Sequence, residues 1–221
     1  MQKFDTTAPI TALLDIPAGR VQIIAADRAD TTVEIRPADP AKSRDAKAAE
    51  QTTAAYADGV LRITAGASGN QLFGPSGAVE VTVQLAVGSH IRAKAASTEL
   101  RAVGRLGDIT FEGAYRHIRI DEAAGLRLTA VDGDVEVGRL GGPARISTAR
   151  GAIRIGEAAR GTLELRTQMG DISVGAAPGV SAALDASTGH GRVDNALRND
   201  GTTELQIHAT TGQGDITARS I

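Results

Sequence analysis

The chain has no cysteine and no tryptophan, and aromatic residues make up only 2% of its 221 positions. Without cysteine there is no disulfide, no thiolate nucleophile and no zinc-thiolate site. Scarce aromatics leave little for the stacking platforms on which carbohydrate and single-stranded nucleic-acid binding commonly rely. A dominant charge is missing too: 24 Lys and Arg stand against 26 Asp and Glu, a formal net charge of −2. Binding to a phosphate backbone wants a basic excess, so no nucleic-acid partner is expected. No stretch approaches the roughly 20 apolar residues of a membrane span. The N-terminal MQKFDTTAPI lacks the apolar run of a signal peptide. The expectation is a cytoplasmic protein.

What is abundant is glycine, 26 residues set among regularly alternating Val, Ile, Leu and Thr. That combination points to many short strands joined by tight turns. Aligning Gly107, Gly133, Gly151, Gly170, Gly191 and Gly214 gives spacings of 26, 18, 19, 21 and 23. Two residues after each glycine comes Ile109, Val135, Ile153, Ile172, Val193 or Ile216. Seven before comes Leu100, Leu126, Ala144, Leu163, Leu184 or Ile207, and three before a small residue. These offsets keep one parity on each side of the glycine, the period-2 signature of a strand with one buried face. Within the 26-residue gap, Arg116 fits as another corner, since Ile118 and Ile120 then take the two apolar offsets. Gly19, followed by Val21 and Ile23, fits as well.

A repeat of about 20 residues, made of strand, glycine corner, strand and second turn, suits an all-β fold of the β-solenoid type. The expected organisation is an N-terminal β region over 1–90, continuous with Gly-cornered solenoid repeats over 91–221. In the N-terminal region strands are expected near 9–16, 20–25, 32–37, 60–64 and 79–87. A short helix is expected near 40–56, with Asp39 as N-cap and Pro40 in the first turn.

On these motifs the chain resembles DUF4097, a bacterial adhesin-type family of β-strand repeats whose unit is approximately Thr-x-Ser-Gly-Asp-Val/Ile-x-Val. Thr167-Gln168-Met169-Gly170-Asp171-Ile172-Ser173-Val174 and Thr211-Gly212-Gln213-Gly214-Asp215-Ile216-Thr217 carry the resemblance best. The chain departs from it before the corner glycine, where Leu106, Asp132, Arg150, Met169, His190 or Gln213 replaces serine. The resemblance implies an adhesin-like, partner-binding protein and brings no catalytic residues with it.

The chemistry-bearing residues read chiefly as architecture. Asp108, Asp134, Asp171 and Asp215 follow corner glycines and would form a carboxylate ladder if stacked. Ala152 and Arg192 interrupt that series, and aspartate is a common turn residue in its own right. No metal or cofactor is therefore expected. His90, His117, His190 and His208 have no ligand spacing. Glu136, Arg154 and Arg166 fall on outer faces without forming an acid/base pair, and the serine-containing loops miss the nucleophile-elbow spacing. The expected function is non-enzymatic: an interaction scaffold engaging an unidentified protein partner or a second copy of itself. The candidate contact is the loop 68–77, with Leu72 and Phe73 as anchors. Self-assembly through terminal rungs and a polysaccharide-acting enzyme on the same fold are the alternatives.

Overall fold

The computed structural model describes residues 1–66, 77–113 and 117–221, and among them are nineteen strands and one helix. The first part of the chain holds β1 (Gln2–Asp5), β2 (Thr11–Asp15), β3 (Ala18–Ala26) and β4 (Asp30–Pro37). It continues through α1 (Ser43–Gln51), β5 (Thr53–Ala57), β6 (Val60–Thr64), β7 (Val79–Ala86) and β8 (His90–Lys94). Two long strands follow, β9 (Ser97–Glu112) and β10 (Ile118–Asp132). Then come β11 (Val135–Leu140), β12 (Ala144–Arg150), β13 (Ile153–Ala158), β14 (Gly161–Met169) and β15 (Ile172–Ala176). The last four are β16 (Ala182–His190), β17 (Val193–Ala196), β18 (Leu205–Gln213) and β19 (Ile216–Ser220).

The pairing is mostly parallel and falls into two ladders. The first runs β6, β2, β8, the second half of β9, the second half of β10, β12, β14, β18, β16. The second runs β7, β3, the first half of β9, the first half of β10, β11, β13, β15, β19, β17. At the N-terminal end, antiparallel strands cover both: β5 on β6, β4 on β7, and β1 on β4. Each unit passes from the first ladder through a corner into the second.

Alternation decides which side chains go inward. Ile63, Leu14, Ala93, Phe111, Leu128, Ile146, Leu165 and Ala209 occupy one interior row of the first ladder, and all are buried. Val81, Val21, Leu100, Ile118, Val135, Ile153, Ile172 and Ile216 form the matching row of the second. Both rows belong to one continuous core. Burying each Val, Leu or Ile contributes about 1.5–3 kcal/mol, which no single unit could gain alone. The row fades at one end, where Val193 of β17 is 46% exposed.

Chain order and spatial order part company at both ends. The β2–β3 unit lies between β6/β7 and β8/β9. Likewise β18–β19 lies between β14/β15 and β16/β17. Residues 216–221 are therefore not the end of the stack; β16 and β17 are. The periodic pattern contains no term for which neighbour a unit chooses, so this was invisible in it.

The helix is shorter than its composition suggested. It begins after Lys42, and Asp39 builds a separate turn ahead of it, accepting from the Ala41 N–H at 3.0 Å. Residues 53–57 join the sheet as β5, with Tyr56 opposite Leu61 and its ring 5.9 Å from that of Phe4. Pairing with β6 overrides the alanine-rich helical preference there. Inside α1, Asp45 is buried and accepts the Ala78 N–H at 3.0 Å, which ties the helix to the start of β7.

Candidate binding face and corner spine

Five corner glycines share one register. Gly133, Gly151, Gly170, Gly191 and Gly214 all have positive φ, from +110° at Gly133 to +153° at Gly191. A Cβ on Gly170 would land on the carbonyl oxygen of Gly151, and one on Gly214 would meet that of Gly170 in the same way. Conformation and close approach thus both require glycine. Gly19 occupies the same register, opposite Thr98 on one side and Val79 on the other.

Gly107 does not. It lies in the opposite turn, between the two halves of β9, without positive φ, and its N–H donates to the Ser89 carbonyl at 2.9 Å. Ile109 pairs with Ile91 and Leu126 in the first ladder, whereas Ile118 pairs with Val135 in the second. The Arg116 register is the one these pairings follow, although Arg116 itself falls outside the described residues. A period of two is identical in both ladders, so apolar offsets alone could not say which ladder Ile109 joins.

Around the corners runs a hydrogen-bonded spine. Thr167 Oγ1 donates to the Gly151 carbonyl at 3.0 Å, Thr211 to that of Gly170 at 2.9 Å, and Thr188 to that of Gly214 at 2.9 Å. In the other direction, Asp134 accepts from the Ala152 N–H, Asp171 from the Asp215 N–H and Asp215 from the Arg192 N–H, each at 2.8 Å. Each aspartate binds the backbone of the neighbouring unit rather than its own turn. Asp108, by contrast, stands apart from this series, its N–H donating to His90 Nδ1 at 3.0 Å. Among the described residues no cluster of three or more His, Cys, Asp and Glu could hold a metal ion.

The outer surface of the first ladder is concave, a trough of about 1240 Å³ reaching from β6 to β14. Its central row, read across successive strands, is Arg62, Leu13, Arg92, Thr110, Arg127, Arg145, Glu164. Beyond the trough the row continues with His208 and Asp185, 3.3 Å apart. Arg145 is bound to Glu164 at 2.7 Å. That hydrogen bond holds the Glu164 carboxyl below its ordinary range, helped by the charges of Arg145, Arg166 and His208. In a flanking row Lys94 pairs with Glu112 at 3.5 Å. Among the described residues Arg62, Arg92 and Arg127 make no ion pair, and all three are exposed.

The second ladder's outer face holds more of its charge in ion pairs, although exposed Arg101, opposite Gln22 and Arg119, makes none among the described residues. Arg119 binds Glu136 at 2.6 Å, Arg139 binds Glu157 at 3.3 Å and Arg154 approaches Asp134 at 3.6 Å. Arg166 sits outward on the first ladder opposite Ser147 and Thr210. Leu72 and Phe73 fall outside the described residues.

The arginine row is not apparent along the sequence because its members lie 18 to 35 residues apart. A signal was available all the same. Arg92, Arg127, Arg145 and Glu164 each stand six residues before the corner position of their own unit, at Thr98, Gly133, Gly151 and Gly170.

No family model and no curated protein matches the chain. Solved structures do. A "putative lipid binding protein" from Parabacteroides distasonis matches with a TM-score of 0.50 at 13% identity, over 98% of this chain and 95% of that one. A "putative adhesin" from Bacteroides fragilis matches with a TM-score of 0.49 at 12% identity, over 98% and 95%. A "putative cell adhesion protein" from Clostridium sporogenes matches with a TM-score of 0.40 at 12% identity, over 100% and 98%. At these identities the likeness is one of fold. No helix among the described residues is long and apolar enough to cross a membrane.

Proposed function

We propose that this chain is a non-enzymatic β-solenoid of the adhesin-like kind, binding its partner along the outer face of the first ladder. The carrying observation is the trough with three exposed, uncompensated arginines, Arg62, Arg92 and Arg127, on a rigid parallel scaffold. A rigid frame spares backbone ordering when its exposed cations bind an anion, so only the arginine side chains give up freedom. The resemblance to DUF4097 supports the same reading. The test compares capture of host cells by immobilised wild type, by an Arg92→Glu/Arg127→Glu variant and by an Arg119→Glu variant on the other face. Loss of capture only for the first variant is expected; equal capture by all three proteins would refute the assignment of the face.

A second reading, self-association, rests on the end of the stack. No described strand pairs with the outer edge of β16 or β17. At the opposite end β5 pairs only with β6 and β1 only with β4, so among the described strands their outer edges are open too, and edge pairing between copies gives either a closed dimer or a head-to-tail chain. Light scattering that stays monomeric at high concentration would exclude it.

A further inference from the structure

We infer that the trough takes an extended acidic polysaccharide, a β-1,4-linked polyuronate, lying across the strands with its carboxylates on the arginine row. This rests on the first ladder's outer face being a binding face. It adds the class of ligand.

Spacing along the ladder points to this ligand. Arg62, Arg92 and Arg127 occupy every second strand of the ladder, with Leu13 and Thr110 between them. Neighbouring strands lie about 4.8 Å apart, so the backbone positions that carry the arginines recur at roughly 9.6 Å. In a two-fold β-1,4 ribbon successive sugars face opposite ways, so one edge presents a carboxylate every second sugar. That repeat is close to twice the strand spacing. An extended acidic peptide fits worse, because its same-side residues recur at about 6.7 Å. A flat lipid surface cannot follow a concave face.

The chemistry of the row agrees with this. A guanidinium meets a carboxylate through two parallel N–H···O bonds, which fixes orientation as well as charge. Half-exposed Leu13 and Thr110 offer an apolar contact and a hydroxyl to the sugars between carboxylates. The row ends where Arg145 is already committed to Glu164 at 2.7 Å. Acids border the row on both sides, Asp15 and Glu112 in one flanking row and Asp108 in the other, but the central row itself holds no acid before Glu164. The scarcity of aromatics argues against recognition by stacking onto sugar faces. Recognition here works through charge at a fixed repeat and needs no aromatic platform.

The test is calorimetric titration of the full chain with polymannuronate, neutral mannan and polyglutamate, at about 50 and 200 mM salt. Polymannuronate should bind, weaken with salt, and outcompete polyglutamate, while mannan stays silent. Arg62→Gln, Arg92→Gln and Arg127→Gln should each weaken binding by about three- to tenfold. An Arg119→Gln/Arg139→Gln variant on the other face should match wild type, and melting curves verify that every variant is folded. Failure to bind polymannuronate overturns the inference, as does undiminished binding by a variant combining Arg62→Gln, Arg92→Gln and Arg127→Gln, or equally tight binding of polyglutamate. If cell capture is nevertheless lost in Arg92→Glu/Arg127→Glu, the binding face stands and only the polyuronate falls. If neither assay responds, both fall.

Discussion

From β10 to β19 every corner is built alike, with glycine at the turn and, in three units, a threonine bound to the previous glycine's carbonyl. In the N-terminal units the same position holds Val79, Gly19 and Thr98. Thr98 is fully buried and its hydroxyl reaches the Ile16 carbonyl at 3.3 Å, a different solution to the same turn. The interior rows nevertheless run through both regions without a break. Parallel stacking is thus held by the shared core, and the Gly-Thr-Asp spine is an added device where it occurs. The region without the spine has antiparallel strands and a helix across its end instead.

That contrast can be broken most severely at the spine itself. Gly170→Val puts a β-branched residue at φ +150° with its Cβ on the Gly151 carbonyl. A loss above about 4 kcal/mol, or failure to fold cooperatively, is expected by denaturant titration. Gly59→Ala, also at positive φ but with open space around it, should cost only about 1 kcal/mol.

Next in size are two substitutions in one interior row, Leu14→Ala and Leu165→Ala, both at buried positions. Each should cost about 2–5 kcal/mol, and similarly, because the core is common to both regions. A loss confined to Leu165→Ala would show that the N-terminal units do not share the core's cooperativity.

Smaller still, Thr211→Val removes the donor to the Gly170 carbonyl and should cost about 1 kcal/mol in a thermal melt. Asp171→Asn keeps the oxygen that accepts the Asp215 N–H and should cost less than Asp171→Ala, which leaves that N–H without its acceptor.

The smallest effect is electrostatic. Arg145 lowers the Glu164 pKa in the folded chain, so the pair's contribution is full above the unfolded carboxylate value and is lost as pH falls through the folded one. The stability difference between wild type and Glu164→Gln should therefore shrink on acidification from pH ~5 downward, and should shrink further in high salt.

Much of the fold was legible from alternation and glycine. Leu165, Thr167, Ile172 and Val174 read as inward from parity, and all four are buried. Gly107 misled because a period of two looks the same in either ladder, and the ladder is set by pairing with Ile91 and Leu126. The helix over 40–56 overran because residues 53–57 found a partner in β6, a contact that local propensity cannot contain. Of the candidate face, each arginine was visible as an outward residue, but the row was not. It needs β2 inserted between β6 and β8 before Arg62, Leu13 and Arg92 become neighbours.

By itself the sequence determined which residues face inward, where five of the glycine corners fall, and that the chain lacks the aromatic, thiol and basic equipment of several function classes. Those properties are local, written in parity, φ and composition. Only the tertiary structure decided the order of units at the two ends, which strand edges stay open, and which arginines share a row. Parallel strands from distant segments pair through identical backbone groups, so their order is chosen by how whole units bury their apolar rows together.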